Sequence, residues 1–357
     1  MSDSNRPGRP LAGVARPHKG FRRFRVLDFS KLLPGPYATK ILADLGMDVT
    51  KVELPHFQDP ALTLPPMIDG VGFVHWMVGG GKKRLVLDFR KPPGMKRLRG
   101  LVKRADVLLE GFRPGLMARL GLGYEELARI NPRLVYCSLV GYPPDGPDGA
   151  KAGHDINFMA ASGLLGLGTS EGRTAFPGTP VADLCGSVGA AIGVLAALLE
   201  RETTGKGRRV TVSMAQALHT WLTMPLGHFA ATGQAPAPAG EWWNGGHPFY
   251  RLYATKDGGF MAVGGLEKNF SLALLDCLGL GRLKSLVPDP TGENGRILSE
   301  ELARAFLDAT RDEWTARLRD KDVCVNAVLS LPESLESSRA VAPGSAPPRR
   351  RRAASRG

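Results

Sequence analysis

Cysteine is scarce in this chain. The four present (Cys137, Cys185, Cys277, Cys324) stand far apart, with no CxxC and no histidines at partner spacing. That excludes a zinc site or a disulfide framework and fits small buried side chains in a reducing compartment, so the expected location is cytoplasmic. Long apolar runs are missing too: the richest, Val188 to Leu199, falls short of a membrane span, and no membrane association is expected. The first residues carry several arginines but no apolar stretch of the kind a secretory leader needs. Acidic residues are outnumbered, 34 against 47 lysines and arginines, leaving a formal charge of +13. Such a surplus suits an anionic ligand or a nucleic acid. Part of it lies in Arg349-Arg350-Arg351-Arg352, which reads as a solvated end. No RNP, helix-turn-helix or zinc-finger pattern supports a nucleic-acid partner.

What is present is the composition of a globular protein, 43% hydrophobic and 23% charged, in a length of 357 that suggests two domains. Residues 1–22, rich in Pro, Gly, Ser and Arg, are expected to be disordered. Phe24 to Phe29 then reads as a buried strand, Leu33-Pro34-Gly35-Pro36 as a turn, and Tyr37 to Leu45 as a helix capped by Gly46. Val49 to Glu53 follows as a second strand. A β-α-β unit ending in an acidic residue invites a dinucleotide, but the turn holds no GxGxxG to admit a pyrophosphate, so NAD is disfavoured.

Further strands are expected at 84–89, 105–110, 134–140 and 209–212, alternating with helices after Pro92-Pro93 and at 116–120, 124–130 and 186–200. This alternation predicts an α/β fold with a mostly parallel sheet covered by helices on both faces. In such folds ligands sit where strand C-termini open into loops, here 34–37, 87–90, 111–116 and 141–158. Composition changes near residue 232, where a Pro/Ala/Gly linker precedes a hairpin (249–253 with 260–263) and helices at 270–278, 300–310 and 314–318. The plan is therefore a large domain over 23–231, a smaller α+β domain over 232–336, and a disordered Pro/Arg tail over 337–357.

Two short stretches carry chemistry. Gly153-His154-Asp155-Ile156-Asn157-Phe158 places a histidine just before an apolar run, and Pro180-Val181-Ala182-Asp183 places a lone carboxylate ahead of a Gly-rich helix start. An imidazole and a carboxylate on facing loops can take a proton from one side of a carbon and return it from the other. Taken singly the same residues read more plainly: His154 as a turn histidine, Asp183 as an N-cap, Arg113 and Arg119 as solvated charges, Glu267 as structural. His219 and His228 lack metal-ligand spacing.

The context of these residues is a wider pattern. It includes Leu27-Asp28-Phe29-Ser30, Pro34-Gly35-Pro36-Tyr37-Ala38, Leu85-Val86-Leu87-Asp88, Phe112-Arg113-Pro114-Gly115 and Thr204-Gly205-Lys206-Gly207. With it, the chain from Phe24 to Glu336 resembles the family III CoA-transferase superfamily. Through His154 in Gly-His-Asp-Ile-Asn, and through Gly264-Gly265-Leu266-Glu267, it is most similar to the α-methylacyl-CoA racemase branch. The resemblance implies an interlocked homodimer, each chain with a Rossmann-like large domain and a small domain. It implies an acyl-CoA thioester as substrate, with coenzyme A entering as part of that substrate and no tightly bound cofactor or metal.

By position, Leu87, Asp88, Phe89, Arg90, Gly111, Phe112, Arg113, Pro114, Gly115, Leu116 and Arg119 would contact CoA, together with Gly153, Asp155, Ile156, Asn157 and Phe158. The implied reaction is 1,1-proton transfer between His154 and Asp183. Glu267 would orient His154, and backbone N–H groups of the 183–189 helix start would receive the enolate oxygen. The rival on the same fold is a CoA-transferase in which Asp183 is the nucleophile, passing through an acyl anhydride and an aspartyl-CoA thioester. An inactive homologue stays open as well. Three departures stand out against the branch: Leu54-Pro55-His56 after Glu53 in place of a CoA-gripping arginine, the loop Gly141-Tyr142-Pro143-Pro144-Asp145, and the Pro/Arg tail.

Overall fold

The computed structural model describes residues 19–170 and 173–341. They fall into two compact units that divide between Gly227 and His228.

The first unit is built on six strands: β1 (Arg25–Asp28), β2 (Asp48–Glu53), β3 (Lys83–Val86), β4 (Val107–Glu110), β5 (Val135–Val140) and β6 (Arg209–Ser213). Every pairing is parallel, in the order β6-β5-β4-β1-β2-β3. A parallel sheet needs cover on both faces, which is why β4 and β5 are buried at every residue and are apolar apart from Glu110 and Ser138. Alternate side chains feed two cores. Val26, Val107, Leu109, Val135 and Cys137 pack on one face with Ala38 and Leu42 of α1 (Pro34–Asp44). Leu27, Leu108 and Tyr136 pack on the other with Leu98 and Val102 of α2 (Pro92–Val102) and Leu127 of α3 (Tyr124–Ile130). The remaining helices that matter here are α4 (Asp155–Ala161), α5 (Val181–Thr204) and α6 (Met214–Trp221).

Several boundaries differ from those the sequence suggests, and three in this unit bear on the site. Pro34-Gly35-Pro36 is not a turn but the first turn of α1, because proline at a helix start forfeits an N–H that has no partner there. Gly35 is required at this point: a Cβ would lie 2.1 Å from that of Ser30. Strand β3 stops at Val86, three residues early, since the Phe89 N–H turns back to the Leu87 carbonyl (3.0 Å). Helix α5 starts at Val181, so Asp183 sits within its first turn and Pro180 holds the N-cap position. By length and composition α5 is the one helix among the described residues apolar enough to cross a membrane, which the short apolar run did not reveal. In this unit it is a core helix, burying Ala190, Val194 and Leu198 against the sheet.

The second unit carries an antiparallel sheet β7-β8-β9 of Arg251–Ala254, Phe260–Val263 and Val325–Ala327. Helices α7 (Lys268–Cys277), α8 (Gly292–Phe306) and α9 (Arg311–Leu318) close a core of Phe249, Tyr253, Leu298, Phe306 and Trp314. Helix α8 spans Gly292 to Phe306 rather than 300–310; two glycines in its first turn mask its start. A 3-10 turn at Lys19–Arg23 and a helix at Leu331–Val341 occupy the margins of the expected disordered ends. The rest of those ends, including Arg349 to Arg352, lies outside the described residues.

Candidate active site

Sheet order reverses between β1 and β4: from β1 the chain moves outward through β2 and β3, then returns to the other side for β4. The loops leaving those two strands therefore part, and a crevice opens at their C-terminal ends. A cleft of about 290 Å³ occupies this point. Ser30, Lys31, Pro34 and Gly35 form one wall, between β1 and α1. Gly111, Phe112, Arg113 and Pro114 form the wall after β4, and Tyr142, Gly153, His154 and Phe158 close the far side.

Each wall is fixed by a local device. Glu110, the last residue of β4, is buried and accepts the Phe112 N–H at 2.8 Å, folding the 111–114 loop back over the strand end. Burial pushes its carboxyl above the usual range. On the far side Phe158 is a wedge. Its ring meets that of Tyr142 edge-on, with centroids 5.1 Å apart. A Cβ at Gly141 or Gly153 would come within 2.4 or 2.7 Å of it. Both glycines are thus needed for the loop to close on the ring.

His154 is the residue before α4, in extended conformation, with its N–H held by Asn157 Oδ1 at 3.0 Å. Asp155, next in sequence, reaches across to accept the Asp183 N–H at 3.0 Å. That bond ties the start of α4 to the first turn of α5 and brings His154 and Asp183 into one neighbourhood. Asp183 does not itself line the cleft. It is half-buried, and burial, helped by the like charge of Asp155, pushes its carboxyl up to about 7. A carboxyl poised there can both give and accept a proton near neutral pH.

Within 183–189, the Asp183 amide is held by Asp155, Leu184 donates to the Pro180 carbonyl at 3.1 Å, and the rest lie inside the helix. The helix-start amides ahead of them are those of Val181 and Ala182. Ser187 Oγ donates to the Pro34 carbonyl (2.7 Å), fastening α5 to the start of α1.

Of the sequence-derived candidates, Gly111, Phe112, Arg113, Pro114, Gly153, His154 and Phe158 line the cleft. Leu87, Asp88, Phe89 and Arg90 do not. They follow the edge strand β3, where Leu87 and Phe89 are core side chains and Asp88 Oδ1 accepts the Arg90 Nε–H (3.1 Å). Gly115, Leu116 and Arg119 belong to the next short helix, and Arg119 is exposed. Asp155, Ile156 and Asn157 stand at the head of α4 outside the cleft. Glu267 lies in the second unit as the residue before α7, with its carbonyl accepting the Ser271 N–H (3.1 Å).

Sequence reasoning did not single out Ser30, Lys31, Tyr142 or Lys151 as site residues, although Ser30 ends the motif Leu27-Asp28-Phe29-Ser30 and Tyr142 and Lys151 fall in the 141–158 loop expected to hold ligand; Lys31 had no signal beyond adjacency. Lys31 donates to the Phe57 carbonyl (2.9 Å) and lies over that ring, while Lys151 pairs with Asp148 (2.6 Å). With Arg113 they make the cleft cationic, as an anionic ligand requires. Among the described residues no cluster of His, Cys, Asp and Glu has the make-up of a metal site.

The family description that fits the chain is CoA-transferase family III, over residues 22–349. The human α-methylacyl-CoA racemase is 37% identical over 311 residues, 86% of this chain and 77% of that one. The acetyl-CoA:oxalate CoA-transferase of Acetobacter aceti is 33% identical over 332 residues, 90% of this chain and 83% of its own. A crystal structure of a CAIB/BAIF family protein from Brucella suis superposes with a TM-score of 0.75 at 27% identity, over 90% of this chain and 87% of that one.

Proposed function

The chain belongs to CoA-transferase family III, and we propose that within it the protein is a racemase at the α-carbon of a 2-methylacyl-CoA thioester, passing a proton between His154 and Asp183. The observation that carries this reading is the Asp155 bridge. It ties the residue that follows the cleft residue His154 to the amide of Asp183, whose carboxyl burial pushes up to about 7. The thioester acidifies the α-hydrogen. One of the pair removes it, the electrons move into the carbonyl to give an enolate, and the other returns a proton to the opposite face. The Val181 and Ala182 amides, at the positive end of α5, are the donors proposed for the enolate oxygen. Lys31 and Arg113 are proposed for the CoA phosphates, with Arg90 and Arg119 further along the molecule. Glu267 keeps its proposed orienting role only as a resemblance-based assignment. The proposed working form is a homodimer.

A second reading is kept because similarity to the acetyl-CoA:oxalate CoA-transferase runs across 90% of the chain. There Asp183 attacks the thioester carbonyl and CoA leaves as thiolate; the thiolate opens the resulting anhydride at the aspartyl carbonyl, releasing the donor carboxylate and leaving an aspartyl-CoA thioester, from which an acceptor carboxylate takes CoA by the same two steps in reverse. This route has no need of a second acid/base group.

Incubating a 2-methylacyl-CoA with the protein in D₂O separates the two. Deuterium at C2 with inversion, lost in His154→Ala and in Asp183→Ala, is the expected result. CoA passing to an added carboxylate without exchange at C2 would sink the racemase reading and establish the transferase.

A further inference from the structure

The wall formed by residues 30–35 contains a conformation that its sequence does not favour. Leu32 has φ 62, in the left-handed region. A bulky residue with a Cβ enters that region at a free-energy cost and stays only where its surroundings hold it. The surroundings here are specific. Asp59, buried at 3% exposure, accepts the Leu32 N–H on Oδ1 at 2.8 Å and the Lys51 Nζ on Oδ2 at 3.0 Å. Lys51, at the centre of β2, is buried too and also donates to the Ser30 carbonyl. Asp59 is itself anchored, its N–H donating to Glu53 Oε1 (3.3 Å) and its Oδ1 also accepting the Ala61 N–H (3.0 Å). From the other side Asp28 Oδ1 accepts the Ser30 N–H (2.9 Å). Neither Lys51 nor Asp59 lines the cleft, yet their bonds converge on a loop whose Ser30, Lys31, Pro34 and Gly35 all do.

We propose that Asp59, together with Lys51, is a positioning residue for the acyl-CoA site, holding Leu32 left-handed so that the residues on either side of it face the cleft. The identity of the ligand rests on the function proposed above; the positioning itself rests on the loop. Left-handed backbone at Leu32 reverses the chain between Lys31 and Pro34. Without the Asp59 carboxylate the residue would relax to negative φ and swing Lys31 out of the wall.

The test uses the full chain and reads both CoA affinity by titration calorimetry and steady-state constants. Asp59→Ala is expected to weaken CoA binding and to raise KM for the acyl-CoA by about tenfold or more, with kcat changed by no more than about threefold. Asp59→Asn, which keeps an acceptor for the Leu32 amide, should lose less. Adding Leu32→Gly to Asp59→Ala should recover affinity, because glycine enters positive φ freely. Leu32→Val leaves the ion pair intact but places a β-branched residue where φ is positive, and should weaken CoA binding while lowering the melting temperature by only a few degrees. It decides the matter if Asp59→Ala does not fold. Wild-type CoA affinity in a folded Asp59→Ala and in Leu32→Val overturns the proposal. A wild type without affinity for CoA overturns the functional reading on which it rests.

Discussion

Asp183 carries a stability consequence as well as a chemical one. Its carboxyl titrates at about 7 in the fold and near 3.8 when free. The folded state therefore binds more protons than the unfolded state between those values, and stability falls as pH rises through that window. Asp183→Asn removes the buried charge and should raise the melting temperature by several degrees at about pH 8, a gain on the order of 2–4 kcal/mol, while changing little at about pH 4. The same variant should lose activity. For the wild type a pH profile of kcat/KM distinguishes the two chemistries. A racemase works with one proton shared by His154 and Asp183, so both directions should decline together at low and high pH, with one limb near 7. A nucleophilic Asp183 would show only an acid-side loss. At this scale His154 stood out only through the Gly-His-Asp-Ile-Asn pattern that carries the resemblance, since taken singly it reads as a turn histidine. The place of Asp183 was not, because Pro180 gives none of the Ser, Thr, Asp or Asn signals that announce a helix start.

Between β1 and α1 lies a buried ionic lock that no pattern of hydrophobicity reveals. Lys82 Nζ donates to the Pro36 carbonyl (2.7 Å), Thr39 Oγ1 (2.6 Å) and Asp28 Oδ2 (3.2 Å), all away from water. Burial lowers the Lys82 ammonium to about 8 against the pull of Asp28. Burial alone would raise Asp28, but Lys51, Lys82 and the Ser30 and Thr39 hydroxyls outweigh it and hold the carboxylate low. Replacing Lys82 by Met leaves Asp28 buried with one cation fewer and should cost about 3–5 kcal/mol in denaturant unfolding. Asp28→Asn in the same chain should recover part of that loss, since the orphaned charge is then gone. The strands and helices themselves were readable from periodicity, and failures cluster where one residue overrides it. Prolines 34 and 36 belong to a helix, and the two glycines of α8 conceal its first turn. No local pattern marks Lys51 or Lys82 as buried, because their partners stand apart in sequence: Ser30 lies 21 residues from Lys51 and Asp28 lies 54 from Lys82.

For the whole molecule, the parallel sheet and the separate α+β unit followed from the alternation of patterns along the chain. The proposed homodimer did not follow from any run of residues. Ile192 and Leu199 on the outer side of α5 are 61% and 74% exposed, large apolar side chains left on the solvent side of a helix whose other face is in the core. Light scattering should return twice the chain mass, and Ile192→Glu with Leu199→Lys should lower it if α5 takes part in the contact. A monomer at every concentration would rule out the dimer.

The reversal of strand order also sets a timetable. Residues 30–35 and 111–114 meet only when β1 pairs with β4, joining Val26 to Val107 across about eighty residues of intervening chain. No local segment can preform the cleft, so affinity for ligand arises only once the central pairing of the sheet is in place. During refolding, recovery of CoA binding should lag behind recovery of helical signal and coincide with the last cooperative step, making the ligand a reporter of completed topology.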